Sequence, residues 1–147
     1  MNTAYSQETT TLYFIRHAEK ADSSRDTELS ETGKQRAEKW ASWFKDKDIA
    51  AVYATPYKRT TNTAMPLASQ KKLDVMAYDP MGLDLETIQT KYKGHGVLIV
   101  GHSNTIPKYL NKLTGKNEYT DIDENEFGLV YTVTIKGDKV ACTSQKI

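Results

Sequence analysis

The stretch "VLIVGHSN", residues 97–104, decides how the rest of the chain is read. Val97-Leu98-Ile99-Val100 is apolar at every position, the pattern of a strand covered on both faces. Such a strand belongs in the middle of a sheet with a layer above and a layer below. It then stops abruptly at Gly101-His102-Ser103-Asn104, where ionisable and polar groups replace the apolar run. The same transition recurs elsewhere. Thr11 to Ile15 reads as a short buried strand that ends on Arg16-His17. Ile49 to Ala54 reads as a second, leading into Thr55-Pro56-Tyr57-Lys58-Arg59. Leu73 to Tyr78 is a third, followed by the turn sequence Asp79-Pro80-Met81-Gly82.

Helix-period segments lie between these runs. Ser30 and Thr32 are start signals for a helix whose apolar face is Ala37, Trp40, Ala41 and Phe44. Thr55-Pro56 reads as an N-cap with proline at the first helical position, and Thr60, Ala64, Leu67 and Ala68 face inward behind it. Pro66 inside that helix predicts a kink or an early end. Leu85, Ile88 and Tyr92 mark a third helix closed by Gly94. Ile106, Tyr109, Leu110 and Leu113 mark a fourth, ending at Gly115. Lys116 to Glu126 reads as a loop that either borders the strand exits or merely joins the sheet's edge, with a solvated loop as the first reading. Leu129 to Ile135 and Lys139 to Thr143 then alternate around Gly137-Asp138, a hairpin signal. The expected fold class is α/β: a three-layer α/β/α sandwich whose mostly parallel sheet carries an antiparallel edge strand or hairpin.

Composition narrows the possible partners. With 147 residues, 27% of them charged and a net charge of +1, the chain carries no overall field to attract nucleic acid or a membrane. No run approaches the roughly 20 apolar residues of a membrane span. Residues 1–10 are polar and lack an apolar signal core, so they are expected to form a flexible leader before a single domain over residues 11–147. Location is either cytoplasmic or, if a signal peptide has been removed, exported. Cys142 is the only cysteine, which excludes an internal disulfide and predicts a small packed hydrophobe. Three histidines and one cysteine show no metal-ligand spacing. The sequence carries no reading of oligomeric state.

In sheets of this kind, ligands gather beyond the carboxyl ends of the parallel strands. The four strand exits would bring Arg16, His17, Arg59, His102 and a carboxylate to one rim. Taken singly, each has an ordinary explanation: Arg59 as a surface residue, Asp79 as a turn starter, Asp84 as a helix cap. Together they suit an anion, because planar guanidinium forks match tetrahedral oxygens.

The motifs "LYFIRHAEK", "LSETGKQRA", "YATPYKRTTNTAMPLA" and "VLIVGHSNTIP", spread in order over residues 11–115, resemble those of the histidine phosphatase superfamily, the phosphoglycerate mutase-like proteins. The resemblance implies a phosphoric monoester hydrolase that forms a phosphohistidine on His17 and needs neither metal nor cofactor. It implies phosphate binding by Arg16, Arg59, His102 and Ser103, with His102 cationic. The substrate would be a phosphorylated small molecule or a phosphoprotein, including phosphohistidine. The chain departs from the family's Leu-x-Glu pattern for the proton donor. Asp79 is the first candidate here, with Asp84 and Glu86 behind it, while Glu19 is expected to orient the phosphate site. The mutases follow Arg-His with glycine. Ala18 in that place, and the short span from Arg59 to His102, favour a phosphatase over a mutase-type phosphotransferase. A phospho-ligand-binding protein without turnover is the rival from another class. His95 matches no motif and reads as a loop residue.

Overall fold

The computed structural model describes residues 8–147. Six strands form one sheet: β1 (Thr9–Arg16), β2 (Ala51–Ala54), β3 (Val75–Ala77), β4 (Gly96–Gly101), β5 (Leu129–Lys136) and β6 (Lys139–Lys146). Four helices connect them: α1 (Glu31–Phe44), α2 (Lys58–Lys71), α3 (Leu85–Lys91) and α4 (Ile106–Thr114). The strand order is β3-β2-β4-β1-β5-β6. β1 to β4 run parallel, and β5 and β6 are antiparallel. The expected α/β/α layering with an antiparallel margin is the fold observed.

Alternation along the central strands builds the two outer layers. Ile15, Leu98 and Val100 face α1 and α2, packing with Ala37, Trp40, Phe44, Ala64 and Leu67. Leu12, Phe14, Val97 and Ile99 face the other way, against Leu85 and Ile88 of α3 and Ile106 and Leu110 of α4. Every residue of β4 is buried, as its unbroken apolar run requires. Each large side chain so covered contributes about 1.5–3 kcal/mol, which makes this strand the anchor of both layers.

Several boundaries differ from the sequence reading, each because of a contact made elsewhere in the fold. The polar leader was expected over residues 1–10; residues 1–7 lie outside the described ones, but Thr9 and Thr10 belong to β1. They pair with Lys136 and Ile135 of β5, and Thr10 is buried. Helix α2 begins at Lys58 rather than at Pro56, with Tyr57 as a cap that makes no side-chain bond. Its first N–H is satisfied from a distance, Lys58 N donating to Asp26 Oδ1 at 2.9 Å. Nor does α2 end at Pro66. It continues to Lys71, because Leu67 and Ala68 beyond the proline are buried and outweigh one missing hydrogen bond. Ser30 caps α1 as expected, accepting from Gly33 N at 3.1 Å. In the final hairpin Gly137 takes a positive φ of 63°, the conformation a two-residue turn needs there.

Candidate active site

The carboxyl ends of β1 and β4 lie side by side, Arg16 paired with Gly101, so the following residues, His17 and His102, are neighbours. Their ring centres are 5.6 Å apart. His17 N donates to Gly101 O at 3.0 Å, and Ala18 N donates to the Thr63 hydroxyl at 2.9 Å. Thr63 in turn donates to Arg59 O within α2. The turn carrying His17 is thus tied to β4 on one side and to α2 on the other.

Nδ1 of His17 lies 2.8 Å from Ala18 O. A carbonyl can only accept, so Nδ1 carries the proton, and in the neutral ring the lone pair is on Nε2. Burial pushes the His17 pKa down to about 4. The Ala18 carbonyl opposes this, and Arg16, His102 and Arg59 reinforce it. His17 is therefore a neutral imidazole at pH 7, the form able to act as a nucleophile.

His102 was expected to be cationic. Burial, followed by Arg59 and Arg16, instead pushes its pKa down to about 4, so on the protein's own charges its ring is neutral too. An arriving dianion works in the opposite direction by favouring the charged ring. His102 Nε2 lies 2.8 Å from Thr55 Oγ1, and the Tyr57 ring stands edge-on to the imidazole at 5.5 Å.

Both arginines act on both histidines, and each is held in place by backbone. Arg16 Nη1 donates to the carbonyls of Asp123 (3.2 Å), Glu124 (2.9 Å) and Glu126 (3.0 Å), and the guanidinium lies 4.4 Å over the Phe127 ring. Its Nε is buried without a hydrogen-bond partner, a donor that an anion's oxygen would satisfy. Burial lowers the Arg16 pKa, while Glu124, Glu19 and Asp123 work to raise it. Arg59 Nη1 donates to Arg25 O at 3.0 Å, and its guanidinium covers the Tyr57 ring at 4.6 Å. The loop before β5 is therefore no bystander: its carbonyls hold the first arginine. Of the two expectations for this loop, bordering the site is the one the contacts favour; its grip on Arg16 is not legible in the sequence, because backbone carbonyls leave no residue-type signature.

The carboxylates fall elsewhere. Asp79 Oδ1 accepts from Met81 N at 2.9 Å and shapes the turn after β3. The next two residues, Pro80 and Met81, line a cleft of about 250 Å³ with Tyr57, Arg59 and His102. Asp84 caps α3, accepting from Thr87 N at 3.0 Å, and Glu86 lies in that helix's first turn. Glu19 grips Arg36 with both oxygens at 2.8 Å. Burial works against its charge, but the Arg36 fork wins and holds the carboxyl below its usual range. No carboxylate is among the groups that perturb His17 or His102. Ser103 sits on the exit loop, its carbonyl accepting from Ile122 N. His95 pairs with Asp48 at 3.0 Å, an exposed contact beyond the opposite end of the sheet, where β4 begins. Among the described residues no three His, Cys, Asp or Glu side chains converge as metal ligands.

The resemblance read from the motifs is borne out by comparison with known proteins. Residues 12–80 match the family model of the histidine phosphatase superfamily (branch 1). Phosphoserine phosphatase 1 of Hydrogenobacter thermophilus is 30% identical over 97 residues, covering 55% of this chain and 46% of that protein. The chain thus spans less than half the length of that curated relative. Among solved structures, a phosphoserine phosphatase of Entamoeba histolytica superposes with a TM-score of 0.71 at 18% identity, over 91% of this chain and 95% of that one. The alpha-ribazole phosphatase of Shigella flexneri gives 0.74 at 14% identity, over 93% and 96%. At such identities these structures establish the shared fold.

Proposed function

We propose that this chain is a phosphatase that hydrolyses phosphomonoesters, or phosphohistidine, through a covalent phosphohistidine on His17. The observation that carries the reading is the Nδ1-to-Ala18 bond, which leaves the lone pair of a neutral imidazole on Nε2, in a ring beside a second histidine and within the electrostatic reach of two arginines. In the first step Nε2 attacks phosphorus, the P–O bond to the leaving group breaks, and that oxygen takes a proton. In the second, water attacks phosphorus and passes a proton back to the group that protonated the leaving oxygen, the P–N bond breaks, and inorganic phosphate leaves with His17 restored. Arg16, Arg59 and a His102 ring charged by the substrate's presence offset negative charge on the transferring group, so no metal or cofactor is required for that role. Ser103 is proposed as an additional phosphate ligand, adjoining His102. The match to a phosphoserine phosphatase supports a phosphorylated small molecule as substrate.

Asp79 is the proposed proton donor, since its turn borders the cleft shared by Arg59 and His102. Loss of an acid hurts poor leaving groups most. Asp79→Asn should therefore slow alkyl phosphates far more than p-nitrophenyl phosphate; equal slowing of both moves the acid elsewhere.

Hydrolysis of p-nitrophenyl phosphate in EDTA tests the main reading, wild type against His17→Ala. Activity confined to the wild type, with an acid-labile phosphoenzyme, is expected; equal rates remove the mechanism. A second reading, phosphate binding without turnover, draws on the engagement of Asp84 and Glu19 in capping and pairing. Calorimetric phosphate binding with no turnover across a broad substrate panel would establish it.

A further inference from the structure

We propose that Thr55 and Thr60 form a buried hydroxyl chain that positions His102, anchoring its protonated Nε2 and leaving Nδ1 to face the phosphoryl group. The proton count decides the direction of the chain. Thr60 Oγ1 lies 2.7 Å from Thr55 O and 3.0 Å from Tyr57 O. Two oxygens at 2.7 Å repel unless a proton lies between them, and a carbonyl has none to give. Thr60 therefore donates to backbone. Thr55 Oγ1, 2.8 Å from Thr60 Oγ1, must then supply the proton of that contact. With its single hydrogen used, Thr55 meets His102 Nε2 at 2.8 Å only as an acceptor. The proton is on Nε2, and Nδ1 is the nitrogen with no partner on the protein.

Burial makes the chain exclusive. Both threonines are fully buried, so no solvent competes for these bonds. The placement follows from the sheet: Ala54 of β2 pairs with Val100 of β4, which brings Thr55 level with the start of the loop bearing His102. The residue expected to cap α2 serves the neighbouring strand's histidine instead. A misoriented ring would still be present but could not direct Nδ1 at the transferring group, which makes both threonines positioning residues.

The catalytic half of this inference rests on the phosphatase reading; the assignment of the imidazole proton does not. Long-range ¹H–¹⁵N correlation of the labelled protein shows which ring nitrogen of neutral His102 carries hydrogen. Nε2–H is expected, and an Nδ1–H ring overturns the proposal whether or not the protein turns over substrate. Thr55→Val keeps the shape and removes the hydroxyl. It should mix the tautomers and lower kcat on p-nitrophenyl phosphate about 10–100-fold, with KM little changed. Thr55→Ser should restore both. Thr60→Val provides a second variant should Thr55→Val fold poorly. A wild-type tautomer and kcat in a folded valine variant overturns the proposal. Lack of turnover in the wild type, with Nε2–H observed, removes the phosphatase reading and leaves the anchoring intact.

Discussion

Arg16 Nη1 meets the backbone carbonyl of Glu124 at 2.9 Å across 108 residues of chain. With the bonds to Asp123 and Glu126, one nitrogen of the fork is used to hold the loop, while Nε is buried without a partner. The guanidinium therefore combines a nitrogen engaged with the loop and a buried nitrogen open to a further acceptor.

Arg16→Lys cannot serve both. A single ammonium lacks the fork geometry, so kcat/KM should fall by at least about 100-fold. The loop over residues 123–127 should also exchange its amide hydrogens faster. Stability should drop by about 1 kcal/mol, since partly buried carbonyls lose their donor. Urea unfolding and hydrogen exchange test this; an unchanged loop with lowered activity would confine Arg16 to phosphate binding.

Stability should depend on pH through the two histidines. Both have folded pKa values near 4, against about 6.5 in the unfolded chain. Between these limits the unfolded state binds more protons, so stability is fully present above about 6.5 and is lost as pH falls toward 4. For His17, 5% exposed, the loss is on the order of 3 kcal/mol; for the less buried His102 it is smaller. Urea midpoints measured from pH 7 to pH 4 should fall, and His17→Ala should flatten the curve. A parallel curve in the variant would place the dependence elsewhere.

Glu19 and Arg36 form a partly exposed brace whose carboxylate acts on the neighbouring Arg16, and for Glu19 a supporting role is expected. Glu19→Gln should cost about 0.5–2 kcal/mol in thermal unfolding while kcat changes by less than about threefold. A loss of kcat beyond about 100-fold with normal stability would make Glu19 a participant in proton transfer.

Gly101 allows the strand exit to pack. A methyl there would stand 2.7 Å from Tyr78 Oη, which donates to Val100 O at 3.1 Å inside the core. Gly101→Ala should destabilise by about 1–3 kcal/mol. Pairing it with Tyr78→Phe, which removes the colliding oxygen, should recover part of the loss, and the coupling appears in a double-mutant cycle. Strict additivity would mean that the backbone at residue 101 shifts instead.

What could be read beforehand followed from periodicity and strand position. The run 97–100 revealed a covered strand, and its neighbours' exits located both histidines and both arginines. Three features were out of reach. The support of Arg16 comes from carbonyls, which every residue has. The Thr55 hydroxyl looked like a helix cap because both uses need the same side chain. Proline at 66 suggested a break, since propensity is local while the burial of Leu67 and Ala68 is tertiary. The proton donor was the weakest expectation for a physical reason as well: short acidic side chains near turns and helix starts have local bonds available, and Asp79 and Asp84 both make them.

The strand order has a consequence for biosynthesis. β1 leaves the ribosome first, yet its two sheet neighbours, β4 and β5, are made fourth and fifth. Through most of translation the nascent chain must therefore carry Leu12, Phe14 and Ile15 without their final cover. Of the six strands, the one that leads into His17 emerges before the others and is among the last to be enclosed, which leaves it exposed to chaperone capture or misassociation until the closing hairpin arrives.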